Sequence, residues 1–331
     1  MQQTFNDFKA FEILKDKNVL LVCDKSFDLF DITLPFKFVR FSDFKSNPSY
    51  EDAKIGAEIL KINNCDFIVA IGGGSSIDIA KCIKHDSLLD IPIMAIPTTS
   101  GSGSEATKFA VIYINDEKQS IADDNLLPEY VVLQPDLLKK LPVYQKKCTM
   151  LDTLCHAIES WWSKKASPES IAYSQKAISL IIDNMDSYLK NEDEGNRNML
   201  IASNFAGKAI NITTTTAPHA MSYNLTSLYG LPHGHAVAIC LPKVWRYMKN
   251  HNDIAKALGK QNCEEAVLFF EQLLETLNIL PPENVTPDDL DILTNSVNVQ
   301  RLENNPVVLK KNTIEALYKE ILKNQHFKNA I

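Results

Sequence analysis

Two unlike halves are predicted from the sequence: an α/β domain with a doubly wound parallel sheet over residues 1–142, and an all-helical domain over residues 143–331. Three observations predict this. Short runs rich in β-branched and aromatic residues alternate with helical stretches in the first half. A triple glycine, residues 72–74, falls between one such run and a helix. Beyond Pro142 the chain turns rich in Ala, Leu, Lys and Glu at helical spacing.

Taken in order, VLLVCD (19–24), FKFVRF (36–41), FIVAIGGG (67–74) and PIMAIPTT (92–99) are nearly continuous apolar runs, the mark of strands buried on both faces. Between them YEDAKIGAEILKINN has helical periodicity, and SSIDIAKCIKH opens a second helix directly after the glycines, which makes βαβ units. FAVIYI (109–114) and EYVVLQP (129–135) are two further strands. The joint lies near LKKLPVYQ, and helices after it are broken at SPES, EGNR, TTTTAP, YGLPHG and ILPPEN. A cleft between the halves is where a site is expected.

Composition narrows the class. The chain has 331 residues, 45% hydrophobic and 23% charged, which suits a soluble globular protein large enough for two domains. No apolar run is long enough to span a membrane, and the start MQQTFNDFKAF has no signal-peptide pattern, so a cytoplasmic protein is expected. The net charge of -7 and the lack of a basic stripe argue against nucleic acid. Seven cysteines without a CxxC pair read as free buried thiols.

Asp152, His156, His219 and His233 form a candidate divalent-metal site. Asp152 and His156 are four apart in LDTLCHAIES and share a helix face. His219 and His233 each follow a proline, which places each in the first turn of a helix. An Asp and His pair at that spacing is by itself ordinary on a salt-bridged helix. The other histidines decide the matter: His85, His251 and His326 sit among charged or amide residues and read as solvent-facing, whereas these lie in apolar stretches and need a partner. Three imidazoles and a carboxylate suit Fe(II) or Zn(II) rather than calcium.

Two loops read as anion and cofactor contacts. In IGGGSSIDIAK the amides of residues 73–76 can approach a phosphate unobstructed at a helix start. PTTSGSGSEAT (97–107) crowds hydroxyls and glycines after a strand, too polar for a core.

With VCD, GGGSSIDIAK, PTTSGSGSEAT, LDTLCHAIES and the pair TTAPHAM and LPHGHAVAICLP in this order, the chain resembles the iron-containing (group III) alcohol dehydrogenases over almost its full length. The resemblance implies a Rossmann-like, dinucleotide-binding first domain and a metal-binding helical second domain, the dehydroquinate synthase-like architecture. It implies Asp152, His156, His219 and His233 as ligands; Gly73, Gly74 and Ser75 on the pyrophosphate; Thr98, Thr99 and Ser102 on phosphate and nicotinamide ribose; Asp78 closing the glycine loop; and Lys118 on the ribose. An acid at Asp24 implies NAD(H) in preference to NADP(H). Three departures stand out: a short amino-terminal segment that trims the sheet edge, a brief KHDSLLDIP connection, and Tyr223 where many members have another histidine.

The texture of CHAIESWWS, SPES, APHAMSY and YGLPHGHAV is similar to a phosphonoacetaldehyde reductase branch. That resemblance implies hydride transfer from NADH to an aldehyde, with phosphonoacetaldehyde going to 2-hydroxyethylphosphonate. Tyr223, or water along the ribose, would supply the proton, and Trp162, Ser163, Lys164, Lys108 and His235 are candidates to hold the phosphonate, with His235 also a candidate catalytic group. Rival readings are a general primary-alcohol or lactaldehyde dehydrogenase and a dehydroquinate synthase-type cyclase. The cyclase would need more basic residues around these motifs. A homodimer joined near the amino-terminal edge strand is expected.

Overall fold

The computed structural model describes residues 2–45, 48–114 and 117–322, without the side chains of 117 and 118. Its first half contains β1 (Gln3–Phe5), β2 (Val19–Cys23), β3 (Phe38–Phe41), α1 (Tyr50–Ile62), β4 (Phe67–Gly72), α2 (Gly74–Ser87), β5 (Ile93–Pro97), β6 (Phe109–Ile114), β7 (Glu117–Ala122) and β8 (Tyr130–Val132). Six strands form one parallel sheet in the order β1-β8-β5-β4-β2-β3.

The continuous apolar runs have their reason here: β2, β4 and β5 are buried at every residue. Alternate residues enter different cores. Leu20, Val22, Ile68 and Ala70 pack with Ala53, Ala57 and Leu60 of α1 and Ile79 and Ile83 of α2. Leu21, Cys23, Val69 and Ile71 face the other way, onto Ala10, Phe11, Leu14 and Leu137. That second face is covered by short 3-10 turns at Phe8–Leu14 and Pro135–Lys140.

FAVIYI does not join this sheet. β6 pairs antiparallel with β7 in a separate hairpin. Its buried residues alternate, with Ala110 and Ile112 packed in the core under α2, which is the pattern of a strand covered on one face only. β7, EKQSIA, is too polar to read as a strand in isolation. At the other end β1 occupies the edge expected to be trimmed, paired beside β8.

The second half contains α3 (Val143–Trp162), α4 (Pro168–Leu189), α5 (Asp193–Thr213), α6 (Ala217–Tyr229), α7 (His233–Met248), α8 (Asn252–Ala257), α9 (Cys263–Thr276), α10 (Pro287–Ser296), α11 (Val299–Leu302) and α12 (Lys311–Leu322). α3 is the central helix, buried without interruption from Met150 to Trp162. A capping box at Ser167 with Pro168 behind it starts α4. EGNR does not break a helix. Asp193 and Glu194 complement the positive end of α5, and Gly195 lets that helix approach α4, since a Cβ there would lie 2.2 Å from Tyr188 N. All seven cysteines are free and buried. Among the described residues no helix is long and apolar enough to cross a membrane.

Candidate metal centre and cofactor cleft

Two helix starts and the middle of α3 converge at the foot of a cleft of about 1040 Å³ lined from both halves. α3 contributes Asp152 and His156 one turn apart, α6 contributes His219 in its first turn, and α7 begins with His233. Ligand atoms of Asp152, His156 and His219 lie within 4.8 Å of one another, and all three residues are buried. The His156 and His219 rings stack at 4.5 Å, and the His233 ring meets His219 edge-on at 5.3 Å.

The donor set fits a cation. Asp152 Oδ1 and His219 Nε2 face each other at 3.4 Å, buried, yet neither has a hydrogen-bond partner. Two orphaned polar atoms in the interior are costly unless a third group lies between them. The other nitrogen of each imidazole is fixed. His219 Nδ1 donates to Glu159 Oε1, and His156 Nδ1 donates to Gly101 O at 3.2 Å, so Nε2 is the nitrogen each ring has left for a ligand contact. Electrostatics agree. Burial pushes His219 down, but Glu159 and Asp152 outweigh it and raise its pKa to about 9. Burial opposes ionisation of Asp152, yet the neighbouring imidazoles hold its carboxyl below the usual range. His156 is lowered, chiefly by burial against the pull of Asp152. Two buried carboxylates, Asp152 and Glu159, demand positive charge here, which a divalent ion would supply.

The opposite wall is the glycine loop. Gly74, Ser75, Asp78, Thr99 and Ser102 line the cleft. A Cβ on Gly74 would lie 2.8 Å from Ser102 Oγ, so the two loops meet without room for a side chain. Gly73 is the N-cap of α2, and Thr98 N donates to Gly72 O at 2.9 Å behind it. Asp24 stands at the end of β2, where its carboxylate accepts from Ser26 N at 2.7 Å and Ser76 Oγ at 3.2 Å. Asp78 accepts from Ser104 Oγ and from Val111 N at 3.0 Å, which ties α2 to the second loop and to the hairpin. The Lys118 side chain lies outside the described residues, as does His326.

Lys81 was not singled out by the sequence, although it closes the GGGSSIDIAK motif. Fully buried, it donates to the carbonyls of Ser104, Thr107 and Phe109, each at 2.7 Å, and so fixes the 104–109 segment. The signal available was a lysine on an otherwise apolar helix face.

Several expected anion donors lie elsewhere. His235 is two residues after His233 and leaves α7 on another side, outside the cleft lining; its Nδ1 meets Tyr144 OH and its Nε2 meets Leu280 O, both at 2.8 Å, so it ties α7 to α3 and to the segment after α9. Trp162 donates to Thr216 Oγ1 at 2.8 Å, Ser163 donates to Asn304 at 2.7 Å, and Lys108 pairs with Asp124 at 2.7 Å. Only Lys164 of that group lines the cleft, where it donates to Glu303 O at 3.0 Å. His251 is half-buried against Trp162 rather than solvent-facing. Tyr223 does line the cleft, stacked on His233 at 5.9 Å. Arg301, absent from the sequence reading, donates to the Tyr223 hydroxyl.

A family profile described as iron-containing alcohol dehydrogenase matches residues 6–135, and one described as the C-terminal region of the Fe-containing alcohol dehydrogenase family matches residues 147–322. Alcohol dehydrogenase 4 of Schizosaccharomyces pombe is 30% identical over 319 residues, covering 85% of this chain and 75% of that protein. Phosphonoacetaldehyde reductase of Streptomyces viridochromogenes is 28% identical over 310 residues, covering 80% and 78%. The crystal structure of sulfoacetaldehyde reductase from Bifidobacterium kashiwanohense in complex with NAD+ superposes with a TM-score of 0.89 at 26% identity, covering 98% of each chain.

Proposed function

The chain belongs to the iron-containing alcohol dehydrogenase family, and from that premise we propose that it reduces phosphonoacetaldehyde to 2-hydroxyethylphosphonate with NADH. One observation carries the reductase reading: the orphaned pair of Asp152 Oδ1 and His219 Nε2 lies in the same cleft as the glycine loop of α2. Asp152, His156, His219 and His233 would hold a divalent metal, Fe(II) or Zn(II), which when bound would serve as a Lewis acid for the carbonyl oxygen. Gly73, Gly74 and Ser75 would hold the pyrophosphate of NADH, Thr98, Thr99, Ser102 and Lys118 its ribose and phosphate, and Asp24 would disfavour a 2'-phosphate, the cofactor when bound being the source of hydride.

The remaining work falls to the protein. Glu159 and the Gly101 carbonyl hold the two imidazoles with Nε2 facing inward. Asp78 and Lys81 hold the second loop against α2. Tyr223, one turn beyond His219 on α6, hands a proton to the oxygen that becomes the alcohol.

The choice of phosphonoacetaldehyde rests on the motif texture and on the likeness to enzymes named for two-carbon aldehydes that carry an anion. A general primary-alcohol dehydrogenase is the second reading, favoured by the likeness to alcohol dehydrogenase 4. NADH oxidation with Fe(II) or Zn(II) and phosphonoacetaldehyde, propanal or lactaldehyde separates them; faster turnover of propanal would select the second. His219→Ala is expected to abolish both bound metal and turnover, and full activity in metal-free protein would overturn the reductase reading itself.

A further inference from the structure

Arg301 enters the cleft from α11 and is held there by an aromatic ring instead of a carboxylate. Its guanidinium carbon lies 4.7 Å from the centroid of the Tyr223 ring, and Nη1 donates to the Tyr223 hydroxyl. Arg40 and Arg246, by contrast, are paired with Asp28 and with Glu264 and Glu271. Among the described residues no carboxylate stands at ion-pair distance from Arg301. A half-buried guanidinium facing a cleft in a protein of net charge -7, with no anion of the protein's own, is an arrangement that wants one from outside.

Its place relative to the metal-facing imidazoles is defined by rings. Tyr223 stacks on His233 with an interplanar angle of 10°, and His233 abuts His219. The guanidinium is thus one aromatic layer away from the candidate metal ligands. Stacking occupies its face, and one of its five N–H groups goes to Tyr223; the rest of the fork edge matches two oxygens of an oxyanion. The wall around it is rigid. Asn304, three residues on, donates to Thr213 O, Thr214 Oγ1 and Thr215 O at 2.6, 3.1 and 3.2 Å. It thereby holds Thr214 at φ 60, a conformation that β-branched residues avoid, on the cleft wall beside Lys164 and Lys165.

We propose that Arg301, oriented by Tyr223, is a specificity residue that receives the anionic group of the substrate, so that the cleft takes short aldehydes bearing an oxyanion close to the carbonyl in preference to neutral ones. This rests on the aldehyde-reduction reading, and it assigns the anion to a residue outside every recognised motif of the chain. Holoenzyme loaded with Zn(II), as wild type, Arg301→Gln and Arg301→Lys, is assayed with NADH and phosphonoacetaldehyde, sulfoacetaldehyde, succinic semialdehyde or propanal. Arg301→Gln raises KM for the anionic aldehydes by about 50-fold, the worth of a charge-assisted hydrogen-bond pair, while KM for propanal holds; kcat falls alike for every aldehyde, since Tyr223 loses the same partner whichever is bound, and Arg301→Lys recovers part of the KM loss. A KM for propanal that rises as much as those of the anionic aldehydes, or an unmoved KM for the anionic aldehydes, overturns the proposal. Binding of ethylphosphonate, which has no carbonyl, is read by calorimetry on the same proteins. Arg301-dependent binding without turnover of any aldehyde keeps this assignment and sinks the reductase reading; turnover with binding indifferent to Arg301 does the reverse.

Discussion

At Glu159 a single buried carboxylate serves two elements. Oε2 accepts from the Thr216 amide and hydroxyl, both at 2.8 Å, which fixes the entry to α6, and Oε1 accepts from His219 Nδ1, which fixes the tautomer of a candidate ligand. A carboxylate behind a ligating histidine makes the imidazole more basic and locks its ring. Glu159→Gln keeps an acceptor but loses the charge, so metal affinity is expected to fall by about 10- to 100-fold. Competition against a chelator measures it, and an unchanged affinity would remove Glu159 from that role. The four candidate ligands were legible because their residue types are scarce and their spacing is helical. Glu159 stood in the same quoted segment, two turns after Asp152, and Arg301 in NVQRLEN, but an acid on a helix and an arginine in a polar stretch normally face water. Only packing reveals that one is buried and the other stacked. His235 turns away from the candidate ligands for a reason visible in the sequence: residues two apart on a helix do not share a face.

Between elements, the closest approach at the site is made by α7 against α3. A Cβ added to Gly234 would lie 2.0 Å from Cys148 O and 2.8 Å from Asp152 Cβ, so glycine is required between His233 and His235 for the start of α7 to reach α3. Gly234→Ala must move α7, and His233 moves with it. The expected result is a metal affinity lowered by at least about tenfold, since losing a group that merely orients a ligand already reaches that size, with helical content by circular dichroism unchanged. Wild-type metal affinity in this variant would show that α7 does not set the site. The same packing logic sorts the elements by legibility. Strands buried on both faces announce themselves as apolar runs, and α2 announces itself by its glycines. β7 is polar, and β6 alternates because it covers α2 from one side, so neither could be assigned to its hairpin before the tertiary fold was seen.

Across the whole molecule, the candidate ligands come from the helical half and the glycine loop from the sheet half, and the loop 97–107 is clamped between them. Thr153 of α3 donates to Ser100 O at 2.8 Å, and α5 comes so near that a Cβ on Gly207 would lie 2.6 Å from Gly103 O. His156, a candidate ligand, donates to Gly101 of that same loop. A metal held at these ligands would therefore act on the seam between the halves as well as on α3. Without a cation, Asp152 and Glu159 are left as buried carboxylates sharing one imidazole, an arrangement that favours opening. A metal at about 100 times its dissociation constant stabilises the folded state by about 2.7 kcal/mol. For a chain of this size each kcal/mol moves the midpoint by roughly 2 °C, so chelation should lower Tm by about 5 °C. Thermal melts of wild type and His219→Ala, each with and without chelator, test the assignment directly. The variant, having no complete site, should melt alike in both conditions, and a wild-type midpoint that ignores the chelator would mean that the orphaned pair at Asp152 and His219 is not where a metal binds.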